Sequence, residues 1–145
     1  MIDLIGTNPI FSSAIRLVIA QRLVRKLDEN KQEYQPDEAT RIWVQTVLKG
    51  VNSDYLPQDI QGDFKLWQAV PTVENPFGYK GRTVIMEQMV VDENIQAFFL
   101  FFIEDIHAEI IENQARKNGM LTLLQQGVLA ALRGETTLDE INRVI

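Results

Sequence analysis

The chain has 145 residues, of which 46% are hydrophobic and 23% charged, with a net charge of -6 and no cysteine. That length suits one domain, which would bury roughly 68–70% of the surface its unfolded chain exposes, enough for a core. The acidic balance disfavours a general nucleic-acid binder, which needs clustered Lys and Arg for phosphates, and the missing thiols exclude a disulfide framework or a thiolate zinc site.

In chain order, Asn8-Pro9 reads as a helix start, a capping side chain followed by proline at the first helical position. Ile10, Ala14, Leu17, Ile19, Leu23 and Leu27 recur at roughly helical spacing and predict a helix over 9–27. Asp28 to Gln35 is polar and reads as loop. Pro36 opens a second helix, with Asp37 and Glu38 at its dipole-positive end and Ile42, Trp43, Thr46 and Val47 as its apolar stripe. Gly50 ends it, and Asn52 to Gly62 reads as a turn-rich surface loop. Phe64 to Val70 predicts a strand. Pro71 to Gly81 holds two prolines and two glycines and is irregular. Arg82 to Asp92 predicts a second strand, apolar on both faces and so covered on both sides.

Four helices follow, over 93–104, 105–118, 120–133 and 137–145, with Gly119 and Gly134 at C-terminal cap positions. Thr137 and Glu140 are spaced as a capping box for the last helix. The whole reads as an α+β fold, a small sheet of two or three strands packed with five or six helices, the C-terminal half mostly helical. The longest apolar run, Ala97 to Ile103, is far short of a membrane span. No signal-peptide pattern is seen, so a cytoplasmic protein without direct membrane insertion is expected.

Few residues carry chemistry. Gly78-Tyr79-Lys80-Gly81-Arg82 has two glycines three apart around an aromatic and a cation. It reads as a tight loop feeding a strand, with glycine at positive φ and Tyr79 packed. The sharper reading has Arg82 contacting an acidic partner, either Glu87 of its own strand or a carboxylate of a neighbouring subunit. His107, the single histidine, has no recognisable nucleophile and reads as a surface or capping residue rather than a catalyst. Arg16, Arg22, Arg25 and Lys26 read as a solvated face of the first helix. Around Ala97 to Ile103, Ile95, Phe98, Phe99, Phe102 and Ile106 fit one inward stripe, which leaves Leu100 and Phe101 pointing elsewhere. Either another element of the same domain covers those two, or a partner does. The pattern alone fits a buried strand as well.

Three blocks stand in sequence: Gly78-Tyr79-Lys80-Gly81-Arg82, Gly119-Met120-x-Thr122-Leu123 and Gly134-x-Thr136-Thr137-Leu138-Asp139-Glu140-Ile141. Their order and distances resemble the C-terminal end of the type II secretion and type IV pilus assembly ATPases. Ile19 to Leu27 resembles the helix that ends the ATPase core of that family. On this resemblance, 1–145 is a single domain, 1–27 the end of the core helix and 28–145 the C-terminal subdomain. No G-x-x-x-x-G-K-[ST] phosphate loop occurs in the chain, so no catalytic residue is assigned in it.

The resemblance implies a parent that hydrolyses ATP with magnesium as a homo-hexamer on the cytoplasmic side of the inner membrane, and that drives pilin assembly through a platform protein. Its phosphate loop would lie upstream of Met1. The ending Glu140-Ile141-Asn142-Arg143-Val144 tilts the reading to the pilus branch. The chain itself is then expected to be a structural and interaction module without a cofactor, its partners the parent core and neighbouring subunits, with Leu100 and Phe101 as interface candidates. The alternative is a stand-alone adaptor or regulator that binds and caps an intact ATPase. The resemblance also puts Gln21 and Arg22 near the nucleotide. Many family members bind zinc with two C-x-x-C pairs, where this chain has Asp28-Glu29-Asn30 and, at the second pair, Pro71 and Glu74. Asp28, Glu29 and Glu74 make a poor zinc set, so no metal is expected, and the loop would be held by Phe77 and Tyr79 against Pro71 and Pro76.

Overall fold

A computed structural model describes residues 14–101 and 108–145. The elements are β1 (Leu17–Leu27), β2 (Lys31–Tyr34), α1 (Glu38–Val47), a 3₁₀ turn (Ser53–Tyr55), β3 (Leu66–Ala69), β4 (Tyr79–Val90), α2 (Glu93–Phe101), α3 (Ala108–Lys117), α4 (Leu123–Leu132) and α5 (Leu138–Val144). β1 pairs with β4, and β2 with β3, in two two-stranded sheets. The class is α+β, with five α-helices among the described residues.

The chain divides into two compact units. One is Met1–Ala20 with Gln88–Met120, the other Gln21–Glu87 with Leu121–Ile145. In the first, Val91, Ile95 and Ala115 form the core, with Ile15, Val18, Met89, Phe99, Ile111 and Met120 against it. Asp92 caps α2 by accepting the Ile95 N–H at 2.9 Å, and its other oxygen accepts from Asn118 Nδ2 at 2.9 Å. Ile95 and Phe99 thus take the inward side of a helix, which sets aside the strand alternative.

The second unit is built around α4. Gln125, Gly127, Val128, Leu129, Ala130 and Ala131 are all buried on it, so this helix is surrounded. Val44, Leu48, Phe64 and Leu66 pack on one side of the core. Ile141 of α5 lies so close to Gly127 that a Cβ there would sit 2.9 Å from Ile141 Cγ2. Val24 of β1 and Ile85 of β4 pack with Ile141 in a second cluster.

Several expectations are corrected. The helix predicted over 9–27 is strand β1 from Leu17 onward, and its Asn8-Pro9 start lies outside the described residues. The spacings of four from Ile19 to Leu23 to Leu27 fit either period, whereas the spacing of two from Leu17 to Ile19 fits only a strand, and pairing with β4 decides for the strand. The cations read as one helical face therefore part company: Arg25 alternates away from Arg22 and Lys26 along the strand, and Arg16 lies outside it. The polar 28–35 stretch contains β2, antiparallel to β3 in the register Lys31↔Ala69 to Tyr34↔Leu66. Side chains across the pair hold it: Gln68 Nε2 donates to Gln32 Oε1 at 3.0 Å, and the Lys31 ammonium lies 4.6 Å from the centre of the Trp67 ring.

β4 is not covered on both faces. Ile85 is buried, but Val84 is 44% and Val90 64% exposed, and on β1 Leu17, Ile19 and Leu23 are about half exposed. The capping box predicted at Thr137 is half made: Thr137 Oγ1 accepts the Glu140 N–H at 3.1 Å, while the Glu140 carboxylate turns elsewhere. A full box sits instead at the start of α4, between Thr122 and Gln125.

Candidate functional site

The Gly78–Arg82 segment enters β4 beside the start of α5. Gly78 has φ +67° and Gly81 φ +77°, the left-handed region expected of both. Gly78 is also sterically required, since a Cβ there would lie 2.8 Å from Val70 N. The Tyr79 hydroxyl shares a 2.8 Å hydrogen bond with Thr137 Oγ1, and its ring carries the Arg25 guanidinium 4.2 Å from its centre.

Arg25 is the link between β1 and α5. Its backbone N–H donates to Glu140 Oε1 at 2.9 Å, and its Nε and Nη2 donate to Oε2 at 2.9 and 2.7 Å. Arg143, one turn on from Glu140, donates from Nε to Oε2 at 2.9 Å and from Nη2 to Oε1 at 2.6 Å. The Glu140 side chain is fully buried between these two forks. Arg143's hydrogen bonds, working against the cost of burial and joined by those of Arg25, lower the Glu140 carboxyl to about 2. The carboxylate in turn raises both guanidinium groups through its hydrogen bonds. Thr136 Oγ1 donating to Arg25 O at 2.9 Å and Leu27 N–H donating to Glu135 O at 2.9 Å complete the seam.

An open cavity of about 600 Å³ lies on this seam, lined by Leu23, Arg25, Arg82, Glu140, Arg143 and Val144. Arg82 is exposed at its edge. No ion pair joins Arg82 to Glu87, both of which are described residues. Five residues apart on one strand, the two side chains project to opposite faces, and Glu87 accepts the Leu123 N–H at 3.0 Å instead.

The loop before Tyr79 is held differently from the expectation. Phe77 is 73% exposed and anchors nothing. Asn75 is the hub: its Nδ2 donates to Asp28 Oδ2 at 2.7 Å and to Tyr79 O at 3.1 Å. Its N–H donates to Thr72 Oγ1 at 2.9 Å, and Gly78 N–H donates to Asn75 O at 3.1 Å. Asp28 N–H closes the loop on Gly78 O at 3.1 Å. The Asn75 amide, followed by the Glu29 N–H on the other oxygen, lowers the Asp28 carboxyl. Among the described residues no three His, Cys, Asp or Glu side chains converge as a metal site.

Gln21 and Arg22 are exposed on β1, with Arg22 Nη1 donating to Gln21 O at 3.2 Å, and neither lines the cavity. Leu100 and Phe101 end α2, but their side chains lie outside the described residues, as does His107. Asn75 was not singled out by sequence, and Glu140 and Arg143 were read only as a capping-box partner and as part of the chain's last motif, not as members of a charged bridge. Glu140 and Arg143 carry an i, i+3 charge signal on the last helix, whereas Arg25 lies 115 residues away from Glu140 and no local pattern links them.

The model of the type II/IV secretion system protein family matches residues 1–143. The chain belongs to this family. Among secretion and pilus proteins it is 34% identical to the type II secretion system protein E of Xanthomonas campestris pv. campestris, over 99% of this chain and 24% of that protein. It is 35% identical to the type IV pilus assembly ATPase PilB of Pseudomonas aeruginosa, over 92% of this chain and 21% of that protein. It is 34% identical to PilB of Thermus thermophilus, over 97% of this chain and 15% of that protein. The chain thus spans a quarter or less of the length of these family members. No described helix is long and apolar enough to cross a membrane.

Proposed function

We propose that the chain is a structural and interaction part of a type II secretion or type IV pilus assembly ATPase, supporting ring assembly and the coupling of ATP hydrolysis to pilin polymerisation, and not catalytic by itself. The observation that carries this reading is an end-to-end match to a small part of such proteins in a chain without a phosphate loop. The uncovered strands support it. Leu17 and Ile19 on β1 and Val84 and Val90 on β4 present apolar side chains to solvent, as a sheet does when more protein normally lies over it. The chain then needs no cofactor of its own, ATP and magnesium belonging to the parent. Its partners are the parent core and neighbouring subunits of a homo-hexamer, at the cytoplasmic face of the inner membrane, with the platform protein reached through the parent.

The test is to place Val84→Ser with Val90→Ser in an intact ATPase containing this segment. Hexamer yield by size-exclusion chromatography and ATP turnover should both fall, while the 145-residue chain carrying the same changes keeps its melting temperature. Full assembly and turnover in the double variant would contradict the reading.

A further inference from the structure

The cavity on the β1–α5 seam has more cation than its one carboxylate uses. Arg25, Arg82 and Arg143 line it, against Glu140 alone, a local excess of two positive charges on a chain whose net charge is -6. Glu140 is saturated. It already accepts from Arg25 N, Nε and Nη2 and from Arg143 Nε and Nη2, five donors on a group with about four lone-pair sites. The Nη1 edges of Arg25 and Arg143 stay outside that bridge, and Arg82 is exposed with no carboxylate partner among the described residues. Two of the three guanidinium groups are fixed in place, Arg25 by Glu140 and by the Tyr79 ring, Arg143 by Glu140. Little side-chain entropy is left to lose when an oxyanion arrives.

The walls are not purely cationic. Leu23 is 55% exposed on one side and Val144 half-buried on the other. A bare phosphate has no use for these, whereas a peptide that alternates acidic and apolar side chains satisfies both kinds of wall. We propose that this cavity is a docking site for an acidic peptide segment of a protein partner, its carboxylates taken by Arg82 and the outer edges of Arg25 and Arg143 and an adjacent aliphatic side chain laid against Leu23 and Val144. Glu140 does not touch the ligand. It holds two of the three arginines in place and sets the charge the ligand meets.

The experiment titrates the 145-residue chain into a fluorescently labelled Gly-Ser peptide with a central Asp-Leu-Asp-Leu-Asp block, read by anisotropy at low salt. The acidic peptide should bind at least about tenfold more tightly than its Asn-Leu-Asn-Leu-Asn counterpart, and about 0.5 M sodium chloride should remove most of that difference. Arg82→Gln should weaken the acidic peptide by roughly five- to tenfold and Arg82→Glu should abolish binding, both with unchanged melting temperature because the side chain is exposed. Leu23→Ser should weaken the acidic peptide further without affecting inorganic phosphate. Equal binding of the two peptides, an affinity indifferent to Arg82, or displacement of the peptide by inorganic phosphate at matching concentration would each overturn the proposal, the last by making the site one for free oxyanions.

Discussion

Glu140 is a buried carboxylate whose every oxygen is spoken for by arginine, and such a group stabilises the fold only while it is ionised. Its carboxyl lies at about 2 in the folded chain against 4.5 for the free group. Because the folded value is the lower one, the stabilisation is present above the free value and disappears as the pH falls through the folded one. The shift corresponds to about 3 kcal/mol at neutral pH. The melting temperature should therefore fall steeply between about pH 5 and pH 2. In Glu140→Gln the protein should be less stable at pH 7 by about 3 kcal/mol, since two arginines lose their counter-charge, and the acid limb should flatten. Asp92, lowered mainly by the Ile95 N–H, Asp37, lowered mainly by Thr40, and Asp28, lowered mainly by Asn75, leave a residual slope. A variant with the wild-type acid limb would show that Glu140 is not its source. At a second residue, Gly78→Val forces a β-branched side chain to positive φ with its Cβ 2.8 Å from Val70 N. Urea denaturation should show a loss of roughly 2–4 kcal/mol. Gly81→Ala, at φ +77° with nothing within 4 Å of its Cβ, should lose roughly 1–2 kcal/mol, the conformational part alone.

Among the elements, the helices from Glu38 onward were legible because each carries its own punctuation. Asp37 caps α1, Gly119 follows α3 at φ +93° and Gly134 follows α4 at φ +70°. The strands were less so. β1 is rich in Leu, Ala, Gln, Arg and Lys, which locally favour helix, and only β4, more than fifty residues away in sequence, makes it a strand. β2 has almost no apolar signal, since its stability comes from side chains across the pair. The Gly78 and Gly81 conformations were readable because glycine at such φ is a local property; the Arg25–Glu140–Arg143 bridge was not, because it is made by topology. The loop from Pro71 to Gly81 belongs to this scale too. Asn75 supplies a cross-link to Asp28 and another to Tyr79 O, which join the two segments directly. A chelator should leave the melting temperature unchanged and elemental analysis should find no stoichiometric zinc. Asn75→Ala should cost about 1–3 kcal/mol and raise proteolysis at the exposed Val73–Phe77 stretch. A chelator-induced fall in melting temperature would refute this account of the loop.

At the scale of the whole molecule, the chain belongs to the type II/IV secretion system protein family and its sequence holds no G-x-x-x-x-G-K-[ST] phosphate loop. Phosphoryl transfer is catalysed by positioning and charge: backbone N–H groups around the phosphates, a lysine on them, and a Ser or Thr and a carboxylate on magnesium. Among the described residues, neither the β1–α5 seam nor the Gly78 loop offers that set. Two of the three seam arginines are tied to Glu140 and keep only their outer edges free, and Asp28, which is hydrogen-bonded to the Gly78 loop, has both oxygens engaged by Asn75 and the Glu29 N–H. Charge alone on this surface can hold an anion, but it cannot place a water in line with a leaving group. The purified chain with ATP and magnesium should therefore release phosphate at the rate of buffer, and adding the seam variant Arg82→Gln should change nothing. Turnover that persists through further purification and disappears with a substitution in this chain would mean that the segment carries chemistry of its own.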